Sequence, residues 1–273
     1  MKKILLLIAL LFLTGCASSA ASHLSIDVIQ QNIVVNSQGD IDDAITEPTD
    51  MQNEIEDKKE VVIIKEIDQI EDIKRENILD NFDQNVTFVP QAPFAIWDYL
   101  HDEACEEASM IMAVKHYNGE SLDAIIMERE IQALVAWEEE REYNVDLTAL
   151  ETKTILKEYF GFDSTISTEV TVKNIKEILQ QEKLILVPAA GRLLGNPNFH
   201  YPGPIFHMLM IRGFDEDEFI TNDPGTRNGE GFKYKYDVLL AAIHNWNHGL
   251  AEGGMSDNEM NSGKKVMIIV ERP

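Results

Sequence analysis

The strongest constraint on this chain is an N-terminal stretch with too few apolar side chains to build a core. Between Ala17 and about Asp83 it carries 17 acidic and 5 basic residues and no aromatic before Phe82. So little burial cannot offset the entropy of ordering the backbone, and the stretch reads as an acidic, largely disordered tether. Val61 to Ile73, where isoleucines recur at 67, 70 and 73, is an exception that suits a short amphipathic or partner-binding segment. From about Asn85 the character changes. Aromatics, glycines and β-branched runs set in, and the ~190 residues to Pro273 suffice for one domain with its own core.

Ahead of the tether, Lys2 and Lys3 precede an apolar run from Ile4 to Leu13, which ends in Leu13-Thr14-Gly15-Cys16. A basic start, an apolar stretch and small residues at its end make a secretory signal over residues 1–15. The run falls short of the roughly 20 apolar residues of a membrane span. Its end resembles the lipobox of bacterial lipoproteins, which implies lipidation of Cys16, a membrane anchor and an extracytoplasmic place for the rest of the chain. Residues 16–84 are then the tether and 85–273 the domain. Cys16 and Cys105 are the two cysteines, so anchoring leaves Cys105 without a partner in an export compartment where disulfides form. A lone thiol there is either buried and inert or kept for its reactivity.

The formal charge of −25, from 23 basic against 48 acidic residues, opposes nucleic-acid binding and suits a cationic partner or peptide. No Gly-rich phosphate loop, Cys-pair zinc pattern or internal repeat occurs. No metal or organic cofactor is expected, and nothing in the sequence speaks to oligomeric state.

Within the domain the pattern predicts a short strand at Val86–Val89 and a helix from about Glu103 to Tyr117, closed by Asn118-Gly119. Further helices are expected at Ser121–Trp137, Leu147–Tyr159 and Val172–Gln181. Strands follow at Leu184–Val187, Phe206–Gly213, Glu218–Asn222, Phe232–Lys235 and Lys265–Glu271, with a helix from Tyr236 to Trp246 before the last. Helices first and an antiparallel sheet afterwards means α+β.

Cys105 falls in the first turn of its helix, where Asp102 offers an N-cap and the helix dipole favours a thiolate. Glu103, Glu106 and Glu107 act in the other direction, because like charges raise a thiol unless they point away. His207 opens the apolar run Met208-Leu209-Met210-Ile211, which turns near Asp215 and returns as Phe219 to Asp223. A turn centred on Asp215 sets His207 opposite Asp223, close enough for a carboxylate to orient an imidazole. Cysteine on a helix start with histidine and aspartate on adjacent strands is a nucleophile, base and orienter. Gln91, with the Cys105 backbone N–H, is the choice for stabilising an oxyanion. A metal site at His200, His207 and Asp223 is the rival use of these side chains, and nothing in their spacing demands it.

The blocks Val89-Pro90-Gln91-Ala92-Pro93-Phe94 and Trp97, Ala104-Cys105-Glu106-Glu107-Ala108-Ser109, His207, and Asn222-Asp223-Pro224-Gly225-Thr226 resemble, in matching order, the family-39-like cysteine peptidase domains. These are papain-fold relatives of the peptidases that remove bacteriocin leaders. The resemblance spans about Val86 to Val270. It implies a papain-like α+β fold, Cys105, His207 and Asp223 in the triad roles, and Gln91 in the oxyanion role. Two departures stand out. Gln91 lies further ahead of the cysteine than is usual, and no exporter bundle follows the domain, so leader processing is not inherited. The expected activity is thiol-dependent hydrolysis of peptide or amide bonds through an acyl-enzyme, on a peptide or protein substrate. The alternative is a papain-like module that binds an envelope or extracellular peptide without turnover.

Overall fold

The computed structural model describes residues 79–252 and 254–272. The signal, Cys16 and nearly all of the tether lie outside the described residues. Among those described, no helix is long and apolar enough to cross a membrane.

The framework is an antiparallel sheet of β1 (Phe82–Asp83), β2 (Ser164–Ser167), β3 (Leu184–Ala190), β4 (Phe206–Phe214), β5 (Glu218–Asn222), β6 (Phe232–Lys235) and β7 (Met267–Val270). Its order is β2-β7-β3-β4-β5-β6, with β1 paired to the far end of β4. Helices α1 (Tyr99–Asp102), α2 (Cys105–Asn118), α3 (Ala124–Glu139) and α4 (Ala149–Glu158) come between β1 and β2. Helix α5 (Val172–Leu179) precedes β3, while α6 (Tyr236–Ala242), α7 (His248–Ala251) and α8 (Asp257–Met260) lie between β6 and β7. This is the α+β class expected from the sequence, with four helices ahead of most of the antiparallel sheet.

The sheet is buried on both faces, and the pleat sorts its side chains by parity. Leu184, Leu186, Ala190, Phe206, Met208 and Met210 join the core that contains α2, α3 and α4. Ile185, Val187, Ala189, Leu209 and Ile211 join a second core with α5 and α6. Both central strands are therefore continuous apolar runs rather than alternating ones. Helix α2 is buried along its first ten residues, from Cys105 to Val114, because it is wedged between the sheet and the other helices. Gly119, at φ 65°, ends it in the left-handed conformation that glycine adopts at little cost.

Local details differ from the sequence expectations. Val86 and Val89 are buried but form no strand; the pairing to β4 occurs earlier, at Phe82 and Asp83. That pairing also carries the packed unit back past Asn85. Asp102 does not cap α2. It ends the one-turn α1, and Ala104, which has no capping side chain, occupies the cap position. The β4–β5 hairpin turns between Glu216 and Asp217, pairing Met210 with Asn222 and Phe214 with Phe219 around an irregularity at Arg212. The ladder therefore ends before His207, and His207 and Asp223 are not cross-strand partners.

Beyond Asn222 the chain turns sharply, and the Asp223 N–H donates to Gly229 O at 3.0 Å. A Cβ on Gly229 would lie 1.8 Å from the Asp223 carbonyl oxygen. Gly229→Ala is expected to cost about 1–3 kcal/mol of stability, read as a lower urea midpoint at unchanged slope. An unshifted midpoint would show that the turn yields without strain.

Candidate active site

The site forms where β5 leaves β4. With Asn222 as the last paired residue, the backbone of Met208 on that edge has no strand partner. Helix α2 fills the gap with two side chains one turn apart. Cys105 Sγ accepts the Met208 N–H at 3.2 Å, and Ser109 Oγ donates to Met208 O at 3.4 Å. The thiol is thus fixed beside the main chain of the residue after His207.

His207 is 2 % exposed, and its Nε2–H donates to Asp223 Oδ1 at 2.7 Å. Nδ1 is then the ring nitrogen left for the thiol. Phe199 packs edge-on against the imidazole, with centroids 5.3 Å apart. Gly225 lies so close that a Cβ there would be 2.8 Å from His207 Cε1. Asp223 is fully buried and held by donors on every side. Its Oδ1 also accepts the Gly225 N–H at 3.1 Å, and its Oδ2 accepts from Tyr234 OH at 2.6 Å and Asn196 Nδ2 at 3.0 Å. Burial alone would raise this carboxyl. The charge and hydrogen bond of His207, with the Tyr234 hydroxyl and the Gly225 N–H, outweigh burial and keep it below the ordinary aspartate value.

Gln91 reaches the site despite its distance in sequence, because the intervening loop and α1 fold back on themselves. Its backbone N–H donates to Pro224 O at 3.0 Å, tying it to the turn after Asp223. Its Nε2 donates to His101 O at 2.8 Å and Asp102 O at 3.0 Å, which commits both amide hydrogens to main-chain carbonyls just ahead of α2. Its Oε1 is buried without a partner among the described residues. In this arrangement Gln91 braces the start of α2.

The glutamates around the cysteine do not point away. Cys105 Sγ–H donates to Glu106 Oε2 at 2.9 Å, and the other Glu106 oxygen accepts the Leu147 N–H at 2.8 Å. Glu106 is 0 % exposed and Glu107 2 %, and Glu107 faces Glu138 of α3, which is itself buried. Burial, then the charge of Glu106, its hydrogen bond and the charge of Glu107, push the thiol well above its ordinary value. The Met208 N–H offsets only part of this. Glu106 is also pushed well up, by burial and by the charges of Glu107 and Asp146. The resting thiol is therefore protonated, and the helix start that would favour a thiolate is overridden by buried carboxyls.

Cys105, Gln91 and His207 line one cleft of about 890 Å³, together with Trp97, Asp102, Glu103, Asp146, Phe199, His200, Arg227 and Trp246. Asp223 lies behind His207. One tight carboxylate cluster of the kind that holds a metal ion occurs among the described residues. It consists of Asp215, Asp217 and Glu218 on the β4–β5 turn, away from the cleft, and Lys233 and Lys235 pair with it.

The model of the Peptidase_C39 like family matches residues 83–249, more than half of the chain and all of this site. The chain belongs to the C39-like peptidase family. Among solved structures, it is similar to a Bacillus anthracis protein described as a C39-like peptidase. The identity is 11 %, with 69 % of this chain and 96 % of that one covered and a TM-score of 0.44. No curated protein matches.

For a C39-like peptidase the sequence left out the Asp223 clamp. Tyr234 lies on a different strand and Asn196 comes after a short helical turn at Gly191–Leu194. Glu138 and Asp146, remote in sequence from Cys105, were missed for the same reason. The buried acidic shell has a direct consequence. Glu106→Gln is expected to raise the iodoacetamide alkylation rate of Cys105 at pH 7 by roughly tenfold and to move its inflection to lower pH. An unchanged profile would mean that Glu106 does not hold the thiol proton.

Proposed function

We propose that this C39-like peptidase hydrolyses peptide or amide bonds through an acyl-enzyme on Cys105, with His207 as base and Asp223 as its orienting partner. The observation that carries the reading is the His207–Asp223 hydrogen bond, 2.7 Å and fully buried, in the wall of the cleft that holds the lone thiol. His207 Nδ1 takes the Sγ proton as sulfur attacks the carbonyl carbon. The same proton is then delivered to the departing amine, and water attacks the thioester by the reverse path. Asp223 stays ionised and keeps the Nε2–H tautomer, which its lowered pKa favours. The Cys105 backbone N–H, at the first position of α2, supplies one oxyanion donor. Gln91 supplies the second by exchanging its longer bond, to Asp102 O, for the oxyanion. The reaction needs no cofactor.

One observation favours a second reading, a cleft that binds peptide without turnover: the thiol gives its hydrogen to Glu106 rather than to His207. Digestion of a mixed peptide pool by the whole chain separates the two. Turnover is expected for the native protein, none for Cys105→Ala or His207→Ala, and a large loss for Asp223→Ala, which removes the acceptor that holds the Nε2–H tautomer. Native hydrolysis no faster than that of Cys105→Ala leaves the binding module.

The Leu13-Thr14-Gly15-Cys16 end of the signal supports an extracytoplasmic domain tethered to a bacterial membrane through lipid on Cys16. Palmitate labelling in cells is expected to mark the native chain, and Cys16→Ala is expected to abolish the label and release the protein from the membrane fraction. Label retained in that variant would place the modification elsewhere.

A further inference from the structure

The cleft has an acidic wall with no use in the hydrolytic chemistry. Asp102 ends α1 and Glu103 follows it ahead of α2, and Asp146 lies just before α4; all three line the cleft with Cys105. None is in an ion pair with a lysine, arginine or histidine among the described residues, whereas Asp215, Asp217 and Glu218 on the β4–β5 turn all pair with lysines. Two aromatic faces border the same space, Trp246 and Trp97, the latter 42 % exposed. A further observation is independent of the carboxylates. Gln91, a lining side chain only 2 % exposed, leaves its Oε1 acceptor without a partner. Carboxylates, an unpaired amide oxygen and indole faces are all groups that attract an organic cation.

We propose that this wall is a specificity subsite for a cationic side chain, lysine or arginine, next to the bond presented to Cys105, with Asp146 and Glu103 as its principal charges. The inference deepens the peptidase reading, and rests on it only for the cleavage of the bound peptide. The crowding supports it. Burial and then the charge of Glu103 push Asp146 up to about 6, with His248 of α7 opposing. Burial and then the charge of Asp102 raise Glu103. Asp146 in turn acts on Glu106 and Glu107 of α2. A bound ammonium or guanidinium relieves that repulsion. Because Asp146 is neutral below about pH 6, cation recognition weakens as the pH falls through that value.

The test uses the whole chain carrying Cys105→Ala, so that binding is read without turnover. The probes are acetylated, amidated heptapeptide mixtures whose central residue is lysine, arginine, norleucine or glutamate, and retained peptide is counted by mass spectrometry. Lysine and arginine mixtures are expected to be held roughly tenfold more tightly than norleucine at pH 7.5, as for a charged hydrogen-bond pair. That preference should shrink at pH 5 and in the Glu103→Gln/Asp146→Asn double variant, and lysine amide should compete. Equal retention of lysine and norleucine, or a preference untouched by the double variant, overturns the subsite. Displacement by micromolar calcium in place of lysine amide would also overturn it, assigning the wall to a metal ion. If the native chain cleaves nothing while the lysine preference stands, the peptidase reading fails and the subsite survives.

Discussion

Everything in the site depends on how one strand edge is closed. A β-strand cannot leave backbone N–H and C=O groups buried and unpaired, and β4 loses its neighbour when β5 ends at Asn222. The chain meets that need with side chains instead of a strand, Cys105 and Ser109 placed one turn apart on α2. The thiol is therefore structural and positional at once: it completes the edge, and completing the edge fixes it beside the main chain of Met208, the residue after His207. The early departure of β5 also frees Asp223 from the ladder. Its carboxylate can then turn toward His207, with Tyr234 from β6 and Asn196 from the far loop holding its other oxygen.

The second constraint is electrostatic and runs against the first. Burying Asp223 is made tolerable by four donors, so it stays ionised and useful. Glu106, Glu107 and Glu138 are buried with far fewer, and Glu107 Oε2 and Glu138 Oε1 have no partner among the described residues. Burial pushes all three up, Glu107 to about 7 and Glu138 to about 11. Asp223 and the glutamates of α2 and α3 are thus shifted in opposite directions, and the cysteine touches the raised set. Geometry built for a thiolate coexists with a field that opposes one.

Much of the architecture was legible in the sequence because it derives from periodicity. The continuous apolar runs of β3 and β4, the Thr148–Glu151 capping box of α4 and the glycine stop of α2 all carry local signals. Cys105, His207 and Asp223 were legible as residue types in sequence order. The hairpin register expected for the last two was wrong: the turn lies further along than Asp215, and the pair meets because the chain leaves the sheet, not because the strands align. Asp102 was a plausible cap that α1 absorbed. The Asp223 clamp and the acidic shell were not legible, since they join residues from separate elements and a sequence does not say which charges fold inward.

The acidic wall connects these two fields. Asp146 belongs both to the cleft surface and, through its charge, to the set that raises Glu106 and Glu107. Neutralising it from the cleft side lowers the negative potential felt by Glu106 and Glu107 and eases their ionisation. A cation bound there therefore acts on the glutamates beside the thiol, whereas a neutral residue in the same place leaves their field intact. The carboxylates that line the cleft and the buried glutamates beside the thiol therefore form one electrostatically linked set.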